Sequence, residues 1–169
     1  MSEGIGARVL RKEDKRFITG KGRYTDDIIE ANQAYAAFVR SPHAHARIVS
    51  LDTSAALAME GVETVLTGPE LVADGIGNII CGWGITSKDG TPMNMGAWSA
   101  LATEKVRYVG DAVAIVVADS KSQAKLAAEA VVVAYEELPV VVGSVEAWAP
   151  GAPQLHDNAP GNLIFDCEI

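Results

Sequence analysis

From Ala34 onward the chain alternates apolar and polar positions in short, regular runs. "AYAAFVRS" (34–41) and "ARIVSLD" (46–52) have the composition and length of strands and flank a turn at Pro42. "TSAALAME" (53–60) predicts a short helix closed by Gly61, and "VETVLTG" (62–68) predicts a third strand. The same order returns in "EKVRYVG" (104–110), "AVAIVVAD" (112–119), "SKSQAKLAAEA" (120–130) and "VVVAYEEL" (131–138). Two β-β-α-β pseudo-repeats follow, and with them an α+β domain built on a mixed sheet. The second helix is the better specified. Ser120 and Gln123 have capping-box spacing, and Ala124, Ala127, Ala128 and Val131 recur at i, i+3, i+4 and i+7, an alanine face suited to close packing on a sheet. In each half the strands before and after the helix are expected to run parallel through a right-handed crossover, with the preceding pair antiparallel.

Three stretches fall outside this pattern. Residues 1–33 are polar and punctuated by glycine, as in "TGKGRYTDD", and read as an N-terminal arm. Residues 74–100, between the halves, form a long glycine-rich segment with Trp83, Met93, Met95 and Trp98. A segment of this kind is functional, disordered or laid against a partner, and its large apolar side chains favour the partner. Residues 150–169, with Pro150, Pro153 and Pro160, read as an extended linker with no core of its own.

Composition narrows the class of protein. The 169 residues suit one domain, and 49% hydrophobic with only 6% aromatic residues points to an aliphatic, alanine-rich core. A net charge of −8 opposes binding to a phosphate backbone, so nucleic acid is not an expected partner. No apolar run approaches the roughly 20 residues that cross a bilayer, and "MSEGIGARVL" lacks the pattern of a secretory leader. Cys81 and Cys167 stand alone, which suits a reducing, cytoplasmic setting and is too few for an iron–sulfur cluster.

Candidate chemistry is sparse. In "SPHAHARI" (41–48), His43 and His45 would share one face if the segment were an extended strand, ~6 to 7 Å apart, a chelating distance. They supply only two ligands, and His156 lies far along the chain, so a structural role is expected. Gly4 and Gly6 begin a dinucleotide fingerprint whose third glycine would fall at Val9, with no strand ahead of them, and Lys21 in "TGKGRYT" lacks the spacing of a phosphate loop. Asp26–Asp27 and Glu136–Glu137 are adjacent and so point to opposite faces of an extended chain, as solvated strand ends do. Tyr24, Tyr108 and Tyr135 read as core-edge aromatics whose hydroxyls reach water. No nucleophile motif is present. The residues therefore nominate no catalytic, cofactor-binding or metal-binding position.

Four segments together carry a resemblance. "RKEDKRFITGKGRYTDDI" (11–28), "AAFVRSPHAHARIVSLDTSAAL" (36–57), "LATEKVRYVGDAVAIVVADS" (101–120) and "APGNLIFD" (159–166) resemble, in order, the N-terminal α/β-hammerhead domain of the molybdenum-binding large subunit of the xanthine dehydrogenase, aldehyde oxidase and carbon monoxide dehydrogenase family. The resemblance implies that residues 1–149 form the hammerhead domain and 150–169 begin a linker toward a molybdopterin-binding domain. It makes "RSPHAHARI" a scaffold turn. For the complete enzyme it implies molybdopterin cytosine dinucleotide, 2Fe-2S and FAD, spread over a molybdopterin-binding domain or subunit, an iron–sulfur subunit and an FAD subunit. The family's cofactor loops and its catalytic glutamate match nothing in this sequence. Two readings stay open: a scaffold and subunit-contact piece of a molybdenum hydroxylase, inactive alone, and a free-standing, non-catalytic module of the same fold.

Overall fold

The computed structural model describes residues 4–6, 9–96 and 98–168, so parts of the N-terminal arm (1–3, 7 and 8), position 97 of the glycine-rich segment and residue 169 of the linker lie outside the described residues. The chain divides into two compact units, 1–33 and 34–169. In the first, helix α1 (Asp14–Ile18) leads into a turn in which Phe17 stacks on Tyr24 with ring centroids 5.4 Å apart. Gly22 is required there, because a Cβ would run into the Phe17 ring.

The second unit holds six strands: β1 (Tyr35–Arg40), β2 (Ala46–Asp52), β3 (Val62–Thr67), β4 (Lys105–Val106), β5 (Ala112–Ala118) and β6 (Val132–Glu137). They form two three-stranded sheets, ordered β1-β5-β3 and β4-β2-β6, and every pairing is antiparallel. The two β-β-α-β repeats are present but interlocked. The first and third strands of one half flank the second strand of the other, and the arrangement is reciprocal. This corrects the expected parallel pairs, since β2 and β3 stand in different sheets, as do β5 and β6. Only nine residues separate β2 from β3, short of the dozen or more that a parallel crossover takes.

Helix α2 (Ser54–Leu57) follows β2 and helix α4 (Lys121–Ala130) follows β5; α4 packs on β1 and β5 and against α2. Its alanine face is buried as the periodicity predicts: Ala124 and Ala127 are enclosed, and Val131 nearly so. Ala127 and Val131 meet Ala56, Val65, Ala114 and Val116 in one core cluster, while Ala46, Ala102, Val106 and Val113 form a second. Val39, Leu51 and Val133 touch both, joining the sheets into one interior.

At the start of α4, Ser120 Oγ accepts from the Gln123 N–H and donates to Gln123 Oε1. The glutamine Nε2 then donates to the Glu60 carbonyl, tying α4 to the end of the α2 turn, and Gly61, at φ +77°, has no room for a Cβ against that side chain. Two predicted elements are shorter than their patterns. Helix α2 is a single turn, and β4 stops at Val106 because the Arg107 N–H donates to Asp111 Oδ2 at 3.0 Å instead of to a neighbouring strand.

Helix α3 (Gly68–Ala73) was not anticipated, although "TGPE" carries its start signal. Glu70 Oε2 accepts from the Thr67 N–H and hydroxyl at 2.8 and 2.7 Å, and Pro69 occupies the first turn. One further turn of helix, α5 (Ser144–Ala147), precedes the linker.

Candidate functional site

The histidine pair lies in the turn between β1 and β2, ahead of the first residue of β2, so strand alternation does not govern it. Buried Ser41 shapes this turn. Its N–H donates to the Asp111 carbonyl and its hydroxyl accepts from the His43 N–H. His45 is buried, with Nδ1 2.8 Å from the Pro139 carbonyl oxygen, an arrangement that requires the proton on Nδ1. His43 instead lies against Tyr135, centroids 4.9 Å apart, with its own Nδ1 3.5 Å from Glu137 Oε1. The two imidazoles serve different partners. Among the described residues no group of three or more His, Cys, Asp or Glu side chains is gathered where a metal could sit.

The other singled-out residues also have local partners. Asp27 accepts from the Tyr24 N–H, while Glu136 reaches Arg47 at 3.2 Å across the β2–β6 ladder. Cys81 and Cys167 are free and exposed. Tyr24 and Tyr108 are exposed, but Tyr135 departs from expectation: its hydroxyl is buried, and burial pushes its ionisation above the ordinary phenol value.

Sequence reasoning missed what the linker does. His156 sits in a cavity of about 110 Å³ with Trp98, Arg107, Tyr108, Asp111 and Leu155. Arg107 Nε donates to the Leu155 carbonyl at 2.9 Å, and Lys105 Nζ pairs with both carboxylate oxygens of Asp157 at 2.9 and 3.0 Å. Burial, and then the Arg107 guanidinium, hold the His156 imidazole below its usual pKa. Lys105 holds Asp157 below the carboxylate range. Gly96 passes so close to His156 that a Cβ would press on the ring. The signal available in sequence was the i, i+2 pair Lys105 and Arg107 facing a tail that carries "LHD".

The glycine-rich segment is tied to the same tail. Residues 85–93 fold into a small hairpin, with Met93 N–H donating to Ile85 O and Ser87 N–H to Thr91 O. Beside it run residues 163–166: Asn94 N–H donates to Ile164 O, Lys88 N–H to Asp166 O, and Lys88 Nζ lies 2.7 Å from Asp166 Oδ2. Farther back, Asn162 bridges the linker to α5 by donating to the Ala147 and Pro153 carbonyls. Ile80, Trp83, Met95 and Trp98 are left exposed on this platform. Among the described residues no metal donor set is gathered here, and the exposed apolar side chains suit the platform to contact.

The sequence model of the family described as aldehyde oxidase and xanthine dehydrogenase, a/b hammerhead domain, matches residues 19–139. The carbon monoxide dehydrogenase large chain of Hydrogenophaga pseudoflava is 42% identical over 159 residues, covering 94% of this chain and 18% of that one. The nicotine 6-hydroxylase large subunit of Paenarthrobacter nicotinovorans is 40% identical, covering 94% and 19%. Among solved structures, quinoline 2-oxidoreductase from Pseudomonas putida 86 is similar with a TM-score of 0.71 at 39% identity, covering 93% of this chain and 19% of that chain. The chain thus spans less than a fifth of the length of these relatives.

Proposed function

Because the chain belongs to the aldehyde oxidase and xanthine dehydrogenase a/b hammerhead family, we propose that it is the scaffold and subunit-contact domain of a molybdenum hydroxylase whose reactive centre is carried by other domains. One observation carries this: relatives that match nearly all of this chain use it as 18–19% of a much longer large subunit. The complete enzyme is proposed to work in the cytoplasm with molybdopterin cytosine dinucleotide, 2Fe-2S and FAD. Its partners would be a molybdopterin-binding domain or subunit, an iron–sulfur subunit and an FAD subunit. Among the described residues no group of three or more His, Cys, Asp or Glu side chains is gathered for a metal ion, and the proposal gives none of them a catalytic, cofactor-binding or metal role. Among the described residues no helix is long and apolar enough to cross a membrane.

In this reading residues 1–149 are the hammerhead domain and 150–169 the linker, which leaves beside the 85–93 hairpin. The exposed Ile80, Trp83, Met95 and Trp98 on residues 74–100 are the contact surface toward the cofactor-bearing domains. The test is co-expression with the cofactor-domain, iron–sulfur and FAD subunits of the carbon monoxide dehydrogenase type, followed by native mass measurement. A stoichiometric complex, with dye reduction that neither this chain nor the remaining subunits show alone, is expected. A free chain beside fully assembled partners would instead favour a stand-alone module.

A further inference from the structure

Strand β5, "AVAIVVA", has no polar residue in seven positions. An antiparallel sheet with one wet face alternates apolar and polar side chains, so a strand apolar on both sides marks a sheet covered on both sides. The ladders sort the two faces. Ala37, Val116 and Val65 stand in register, with Val116 and Val65 buried in the core beneath α4 and α2. The next register positions point the other way. Phe38, Ile115 and Leu66 form one row, and Ala36, Val117 and Thr64 a second. None of these six residues is charged, and Phe38 is 48% exposed. The Arg40 guanidinium lies over the Phe38 ring at 5.1 Å, and its Nη1 donates to the Gly110 carbonyl at 2.8 Å, fixing a cation at the border of the face.

We propose that this outer face of the β1-β5-β3 sheet is a second interface, distinct from the glycine-rich platform. Its occupant is the later part of a molybdenum-hydroxylase large chain, presenting an apolar element with a carboxylate opposite Arg40. This rests on the function proposed above. Relatives carry this sheet within chains about five times as long, so the covering material is polypeptide of the same subunit, and a centre strand apolar on both sides is the pattern of such permanent burial. A second copy fits less well. It would bring the same net charge of −8, and the same Arg40, to the contact.

The experiment co-expresses this chain, tagged, with the large chain of the Hydrogenophaga pseudoflava relative from which the matched segment has been deleted. Capture is compared for wild type, Phe38→Asp, Ala36→Glu and, on the platform, Trp83→Asp. Both sheet positions are exposed, so the variants are expected to keep the wild-type circular dichroism and melting profile; if Phe38→Asp does not fold, Ala36→Glu carries the test. At least tenfold weaker capture by the folded sheet variants is expected. Wild-type capture by both sheet variants, with loss only in Trp83→Asp, would overturn this interface and leave the proposed function standing. Failure of the wild type to be captured would remove both. A wild-type dimer in sedimentation that Phe38→Asp disperses would assign the face to a second copy and overturn the occupant proposed.

Discussion

At His156 burial and the charge of Arg107 act in the same direction. Its imidazole lines the cavity beside Arg107, with Lys105, Tyr108, Asp111, Asp157 and His45 as the other ionisable groups nearby, and burial followed by Arg107 lowers its pKa from the ordinary 6.5. A base whose folded pKa is depressed takes up protons more readily when released, so the docked tail is fully favoured above about pH 6.5 and loses ground as pH falls below that value. Melting temperatures measured from pH 8 to pH 5 should therefore fall more steeply in wild type than in His156→Gln below pH 6.5; parallel curves would remove His156 from the balance. The turn histidines lead to a different expectation. His45 is committed to Pro139 and His43 packs on Tyr135, so purified chain should hold no stoichiometric zinc, iron or molybdenum. Near-equimolar metal that disappears on replacing His43 and His45 together would contradict this.

Among the elements, α4 is the most sensitive to volume. Ala127 is fully buried where the helix meets Ala56, Val65, Ala114 and Val116, and alanine is what allows that approach. Ala127→Leu should cost about 1 to 3 kcal/mol by overpacking, read from urea unfolding, whereas the same change at exposed Lys125 should be near neutral. This element was legible in sequence because its signals are local: a cap at Ser120, a 3.6-residue alanine period and a glycine at the neighbouring turn. The order of strands was legible for the same reason. Their partners were not. A period of two tells which side chains share a face but not which strand lies alongside, so β2 and β3 could be placed in one sheet although they occupy two. The strand spacing of His43 and His45 does not apply for a related reason, since Ser41 and Asp111 hold those residues in the turn that the resemblance implied. The site around His156 was hidden because its parts are about 50 residues apart and meet only through the linker.

For the whole molecule, the glycine-rich segment and the linker stabilise each other, and their dynamics should follow that pairing. Composition alone suggests that residues 75–98 exchange fast throughout until a partner covers them. The hydrogen bonds divide the segment differently. The amides of Lys88, Met93 and Asn94 donate to Asp166, Ile85 and Ile164, and Ile79 donates to Trp98 O, whereas no such backbone bond from Ile80, Gly82, Trp83 or Gly84 is found among the described residues. In the free chain the first group should exchange slowly and the second fast. Lys88→Ala removes the ion pair to Asp166 and should speed exchange at Asn94 while leaving the α4 amides unchanged. Adding the cofactor-bearing domains should then slow residues 80–84, because Ile80 and Trp83, 89% and 77% exposed, are the apolar surface that the hairpin and linker leave uncovered. Uniformly fast exchange in the free chain would show that the clamp does not hold in solution. Protection at 80–84 before any partner is added would mean that the platform is already occupied, and would count against its role as the contact surface.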